Sequence, residues 1–549
     1  MKLKFLAAAF LAVAFVSAKP QSAAKAVDAC APPPSAVAPS LPAKLMEGQG
    51  IVHFPITTKS PEAQKFFDQG IAQMHSFWAR EAERSFLQAA ALDPEAPMPW
   101  FGIALVAGGD WRPRFQIDQM VAFFGKPVPS SGNTPNRSRA YEAARKANEL
   151  AKVDGKATDL ERLYIHASSA LRDDTEKDRY DAFVRELRVL LAKYPKEVEA
   201  RTYLALMVMR GFTLPDKKPR TAGTTEAVEI LKQLLVEVPD HPGVHHYVIH
   251  GWEGSTFAKD AWPSCKRYSE LVTNIPHALH MPGHIYSQTG RWADAIKSFD
   301  DAAVNERGYM SADRFYGNGH HGHNVHYLAT SYSFSGEYDK ALVAAKELLA
   351  IPENPRESSQ PDNVFTAYAQ GWFALMRTMV QFGKWDEITS ADTLPQVSRP
   401  RQQAWRHWAL AVAYANKGNV ENALAESRAM DESLNTYREK VKLPVPEELQ
   451  VARKELDGHL AVAQKNVKRG LKLLQAAADG ERKLRYSEPP YYPRPVLEVV
   501  GQVALKNGKD DVAAKAFRGA LEQYPADHHA ELGLKAATGK NSLAVAAGQ

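Results

Sequence analysis

Small residues and aromatics recur along this chain at spacings that suit paired helices. Gly70, Ala82, Phe86, Ala89 and Pro94 form one set. Gly283, Ala295, Phe299 and Ala302 repeat its internal spacing, with Gly290 and Trp292 between them. Gly501, Gly508, Ala513, Phe517, Ala520 and Pro525 repeat it again. A glycine midway along one helix lets a second lie close, an aromatic fills the remaining gap, and proline ends the second helix. Leu187 to Pro195 and Ala227 to Pro239 read as further second helices. Gly336 and Gly418 stand just before later turns. Scarcely any run of alternating β-branched residues interrupts the pattern, so the chain is expected to be all-α.

The period is legible too. His246 and His250 are followed 34 residues later by His280 and His284. Thirty-four residues is the length of the tetratricopeptide (TPR) helix–turn–helix unit. The expected fold is therefore a TPR-type solenoid, a right-handed superhelix of about nine hairpins. At 549 residues the chain exceeds the size of one ordinary globule. A repeat array escapes that limit because each unit buries its core against its neighbours.

Lys2 and Lys4 precede an apolar stretch from Phe5 to Val16, and Val16-Ser17-Ala18 offers small residues for cleavage. That pattern predicts a signal peptide over 1–18 and a periplasmic or secreted protein. The apolar stretch falls short of the ~20 residues that span a bilayer, so no stable membrane insertion is expected after cleavage. Residues 19–55 form an Ala/Pro-rich leader expected to be disordered. TPR-like repeats follow over 56–240, with an insertion near 109–136. Central His-rich repeats occupy 241–355, C-terminal repeats 356–540, and a tail 541–549. Residues 311–319 lengthen one connection, and Pro489, Pro490, Pro493 and Pro495 keep 487–495 out of any helix interior. Whether that segment crosses the concave face as a lid is open. Two cysteines, Cys30 and Cys265, imply no disulfide framework. The formal charge of +5 shows no basic stripe, and no nucleic-acid partner is expected.

Several phrases carry a resemblance. They are Met74-His75-Ser76-Phe77-Trp78, Trp100-Phe101-Gly102-Ile103-Ala104, the runs His241 to His250 and Pro276 to Tyr286, and Arg485-Tyr486-Ser487-Glu488-Pro489-Pro490. Through them the chain resembles an exported bacterial branch of the TPR superfamily, over roughly residues 60 to 530. Gly251-Trp252-Glu253-Gly254 replaces the Ser-Tyr-Asp type of continuation, and Gly283 stands where Ser is usual. The resemblance implies an α-helical repeat fold and no reaction.

Of 18 histidines, 11 lie between His241 and His326. In the repeat register His246, His280 and His326 share one position of the first helix, and His250 and His284 another. His277 and His323 share a third. In proteins resembling this one, such positions face the concave groove. The leading reading is a groove holding a peptide, protein segment or small ligand of the cell envelope. Its candidate contacts are His277, His323, Arg377, Trp405 and Trp408. The rival is a site for a transition metal (zinc, copper, iron or nickel), possible ligands being His246, His250, His280, His284, His326 and Glu253. Tyr247, Tyr286 and Tyr327 would then supply outer hydrogen bonds, and a hydrolase or oxidoreductase would be in view. Histidines that merely knit helices together are the third reading. No Gly-x-Ser-x-Gly elbow, phosphate-binding loop or His-Glu-x-x-His motif occurs, so no catalytic residue is nominated.

Overall fold

The computed structural model describes residues 39–124, 135–312, 319–353, 362–391 and 393–546. The expected signal peptide, the start of the leader, Cys30 and the last three residues lie outside them. Among the described residues the chain is all helical, apart from one bridge pair, Phe212 with Pro219.

Consecutive helices pack as hairpins. Pro61–His75 lies on Ala79–Leu92, Pro276–Gln288 on Trp292–Ala312, Glu447–Ala463 on Val467–Glu481, and Val496–Lys506 on Asp510–Gln523. The first helix begins with Ser60, whose side chain accepts from the Ala63 amide, and with Pro61 in its opening turn. A Cβ on Gly70 would lie 2.5 Å from the Phe86 ring, and one on Gly102 2.6 Å from it. Phe86 is therefore wedged between two helices that approach because they carry no side chain there. Gly283 meets Phe299 at 2.5 Å, and Phe517 is held between Gly501 and Gly533 at 2.7 and 2.3 Å. The packing register read from the sequence is the register of the fold, a TPR-type solenoid.

Two features depart from an open array. The ends pack onto the middle: the Gly48 carbonyl accepts from the Thr273 and Asn274 amides at 2.9 and 3.0 Å. Phe54 is buried in the core and Met46 donates its amide to Gln69. The leader, expected to be disordered to residue 55, is thus ordered from residue 39, because its backbone groups find partners on the first hairpin and beside the central repeats. At the other end Trp292 donates its indole to the Pro525 carbonyl at 3.0 Å and stacks on Phe334, which stacks on Tyr524.

The second departure is residues 487–495. Arg377 holds them. Its guanidinium donates to the carbonyls of Tyr492 at 2.8 Å and Pro490 at 3.1 Å, and Tyr492 packs on Trp405 and Trp408. The proline-rich segment thereby packs on side chains that the repeat register assigned to the groove. The expected insertion contains one helix, Arg114–Phe124, whose Arg114 pairs with Asp118, Asp178 and Asp181; residues 125–134 lie outside the described residues. No helix among the described residues is long and apolar enough to cross a membrane.

Candidate metal centre

Three successive first helices carry the histidines inward. On Pro242–Trp252 every residue is buried, and His246 and His250 share a face. On Pro276–Gln288, His277, His280 and His284 fall on one stripe at intervals of three and four. Gly319–Phe334 adds His320, His323 and Asn324. The rings meet as two triads, His246 with His250 and His277, and His280 with His284 and His323.

In the first triad, Nε2 of His246 and Nε2 of His277 stand 3.2 Å apart. Nδ1 of His246 faces the His75 carbonyl at 2.5 Å, so the proton is on Nδ1. Nδ1 of His320 faces Glu306, and its Nε2 lies 3.2 Å from Nδ1 of His277. Glu253 takes the Nδ1 proton of His250 at 3.2 Å. Nε2 of His250 is buried with no hydrogen-bond partner among the described residues. One ring nitrogen of each of the three residues lies within 4.8 Å of the other two. Phe77, held at a φ of 52°, covers them with its ring 4.4 Å from His246. Burial, followed by the neighbouring rings, pushes His246 and His277 well below the usual histidine range, which keeps them neutral as metal ligands require.

The second triad is built alike. Asn324, whose amide nitrogen donates to the Phe299 carbonyl, offers its oxygen to Nδ1 of His280 at 2.7 Å. Nε2 of His280 then faces Nε2 of His284 at 2.6 Å and Nε2 of His323 at 3.1 Å. Nδ1 of His284 donates to Glu253 at 3.0 Å and lies 2.7 Å from Glu488. Burial opposes a charge on His284, but Glu488 and Glu253 outweigh it and raise the ring to about 10. Nε2 of His284 can therefore donate to Nε2 of His280. Glu253 is held low by His250 and His284, while burial and Glu253 push Glu488 up.

A third group, His75, Glu199 and His241, shows the contrast. Both rings donate Nε2 protons to Glu199, at 2.7 and 2.9 Å, and Nδ1 of His241 accepts the Val244 amide. Donors meet acceptors throughout.

The structure regroups the residues singled out in the sequence. His246, His250, His280 and His284 come together, though in two sets rather than one. His326 does not join them: its Nδ1 meets Gln370 and its Nε2 accepts from Arg377 at 3.2 Å, so its lone pair is used and a cation is already beside it. Glu253 meets Nδ1 of one ring from each triad, and with His284 and Glu488 it forms a fourth group whose ligand atoms lie within 4.8 Å of one another. His277 and His323, expected as groove contacts, complete the triads. Arg377, Trp405 and Trp408, expected in an open groove, are 1%, 3% and 0% exposed because residues 487–495 cover them. Of the tyrosines, Tyr247 bonds to His75 and Tyr327 to Ser287, so neither meets a triad nitrogen. Asn324, Glu306, Glu488 and Phe77 were missed. The spacing of three between His277 and His280, and between His320 and His323, was the available signal for the regrouping. Cys265 is fully buried, and burial pushes its thiol far above the usual range, as a core cysteine requires.

A cavity of 820 Å³ is lined by Glu253, Phe115, Tyr437, Arg401, Tyr486 and Tyr491. Phe115 lies edge-on to His250 at 6.3 Å.

No family model and no curated protein matches the chain. Among solved structures, yeast Tom70 covers 87% of this chain and 96% of its own at 13% identity, with a TM-score of 0.31. A human IFIT1 dimer with m7Gppp-AAAA covers 87% and 91% at 12% identity, TM-score 0.34. The TPR domain of P58(IPK) covers 88% and 99% at 13% identity, TM-score 0.22. At these scores the fold assignment rests on the hairpins described above. Fold and histidine geometry together define a helical-repeat scaffold with a buried imidazole core.

Proposed function

We propose that this scaffold is a His-ligated metalloprotein of the cell envelope. Each triad, His246 with His250 and His277 and His280 with His284 and His323, would hold one transition-metal ion. One observation carries the reading: six buried imidazoles form two triads whose ring nitrogens lie within 4.8 Å of one another, and Nε2 of His250 has no hydrogen-bond partner among the described residues. Buried polar groups normally arrive with partners, and metal-bound histidines normally have their other nitrogen engaged by a carbonyl or carboxylate. Three protein nitrogens per ion leave a coordination position for a small molecule. The placement in the envelope rests on the N-terminal 18 residues. A peptide bound along the concave face has less support, since residues 487–495 pack on Arg377, Trp405 and Trp408; a protein partner would belong to the outer face.

The test is metal analysis of the purified, untagged mature chain beside two paired variants. Two ions per chain are expected, with one lost in His250→Ala/His277→Ala and the other in His280→Ala/His284→Ala. A folded wild-type chain that takes up no metal from zinc, copper, iron or nickel solutions would end the proposal.

A further inference from the structure

Two stretches break the helical repeat, and both border a second cavity. Between Val198–Val208 and Ala222–Glu237 the chain makes a small hairpin. Phe212 pairs with Pro219, and the Thr213 and Arg220 amides donate to the Lys218 and Gly211 carbonyls at 2.8 and 3.0 Å. Leu214 and Lys217 of this hairpin line a cavity of 240 Å³, as do Tyr491 and Tyr492 of the proline-rich segment. No histidine lines it, so it shares no residue with the triads. Irregular insertions in a repeat array are free of the array's own packing pattern, and binding residues concentrate on them.

Lys217 is the informative residue. It is half-buried, and burial alone acts on its ammonium, pushing it below the usual lysine range. Among the described residues it has no ion pair and no side-chain hydrogen bond. A cation drawn out of water normally has a partner. Here the ammonium borders a cavity and lacks one. Its backbone also stands in the left-handed region, at a φ of 54°. That conformation is costly for a residue with a long side chain, and such strain gathers at binding sites. Glycine or asparagine would close the same hairpin with less strain.

The rest of the lining suits an anion that carries a flat ring. Arg482 and Arg485 add positive charge. Of the two carboxyl groups in the lining, Glu481 and Glu522, the first is raised by burial to about 7 and so carries little negative charge below that value. Trp292 stacks on Phe334 at 4.6 Å, and Phe334 on Tyr524 at 5.0 Å. Tyr327 joins these three in the lining. Aromatic faces and edges favour a further ring. The volume lies below the roughly 300–1,000 Å³ of clefts for drug-sized ligands. It leaves room for a single ring with its acid group, and none for a peptide.

We propose that this cavity binds a small aromatic carboxylate, whose anion pairs with the Lys217 ammonium and whose ring lies among Trp292, Tyr327 and Tyr524. No metal at the triads is required, so this site stands or falls apart from the metalloprotein reading.

The experiment is isothermal titration calorimetry on the full mature chain, with 4-hydroxybenzoate as the probe. Saturable binding is expected. The uncharged isostere 4-hydroxybenzamide, and inorganic phosphate as an anion without a ring, should each bind about 10-fold more weakly or worse. Equal affinity for the amide would overturn the ion pair, and equal affinity for phosphate would overturn the role of the rings. A titration of 4-hydroxybenzoate that shows no saturable binding would overturn the site. Lys217→Asn separates binding from structure, since asparagine tolerates the left-handed backbone and carries no charge. Affinity for the probe should fall about 10- to 100-fold, while the urea midpoint stays at or above that of the wild type. Unchanged affinity would overturn the assignment of Lys217. A lowered midpoint would show a lysine kept for stability, and would overturn it equally.

Discussion

At the scale of single residues, the small positions were the most readable part of the chain. Gly70 exists because Phe86 fills the place of its side chain. Gly70→Ala should cost about 1–3 kcal/mol by overpacking. Adding Phe86→Leu should recover part of that loss, and urea denaturation of the single and double variants checks both. An unshifted midpoint in Gly70→Ala would mean the wedge can yield. Glu481 was not readable as a special residue. It is buried near Val496 and Gln523, and burial lifts its carboxyl to about 7 despite the amide of Gln523. Its folded value lies above its unfolded value of 4.5. The folded chain therefore holds a proton that the unfolded chain has lost, and stability falls as pH rises from 4.5 through 7. Glu481→Gln abolishes that component. The variant should gain on the wild type with rising pH, by an amount on the order of 3 kcal/mol above pH 8. Parallel stability curves would refute the assignment. The histidine roles were half legible: position in the helix told which rings face inward, but not which rings meet.

At the scale of elements, the helices and their ends followed from local chemistry, and the proline-rich segment followed from its prolines only as a non-helix. Its position depends on Arg377, on the helix Ala367–Gln381 far earlier in the chain, which reaches three backbone carbonyls and His326. Burial lowers the Arg377 guanidinium to about 10, a measure of how fully it is enclosed. Replacing it by leucine leaves those carbonyls without a donor, at about 1–3 kcal/mol each where water does not reach. Arg377→Leu should lower the urea midpoint and open residues 487–495 to proteolysis before the rest of the chain. Equal resistance in both proteins would show that the prolines alone hold the segment. The leader was read as a disordered tether from its composition. Its last part is ordered because Gly48 and Phe54 meet the repeats, and composition carries no record of that contact.

At the scale of the whole molecule, the ends fold back onto the centre. An open array unfolds by pieces, since each unit touches its neighbours alone. Here Trp292 meets Pro525 and Gly48 meets Thr273, so unfolding should be one transition, with coincident curves from circular dichroism and tryptophan fluorescence. Separate transitions would mean that these contacts are weak. Metal should raise the midpoint in proportion to its binding, by about 2.7 kcal/mol at a free concentration one hundred times Kd. Chelator should reverse the gain, and a midpoint indifferent to metal would count against the centre.

By itself the sequence determined the helices, their pairing into hairpins and the inward face of the histidines. These depend on residues three or four apart and on the helix next in line, and such short-range sterics are written in the local order of residues. The tertiary structure alone decided the rest. Which imidazoles share a site is set by the superhelical winding, in which small rotations between repeats accumulate. Which partner a ring nitrogen meets is decided by groups far away in sequence, such as the His75 carbonyl at His246 and Asn324 at His280. His277 and His280 stand three apart and belong to different triads, while His277 and His246 stand 31 apart and share one. Spacing along a helix fixes direction, and only the winding fixes company.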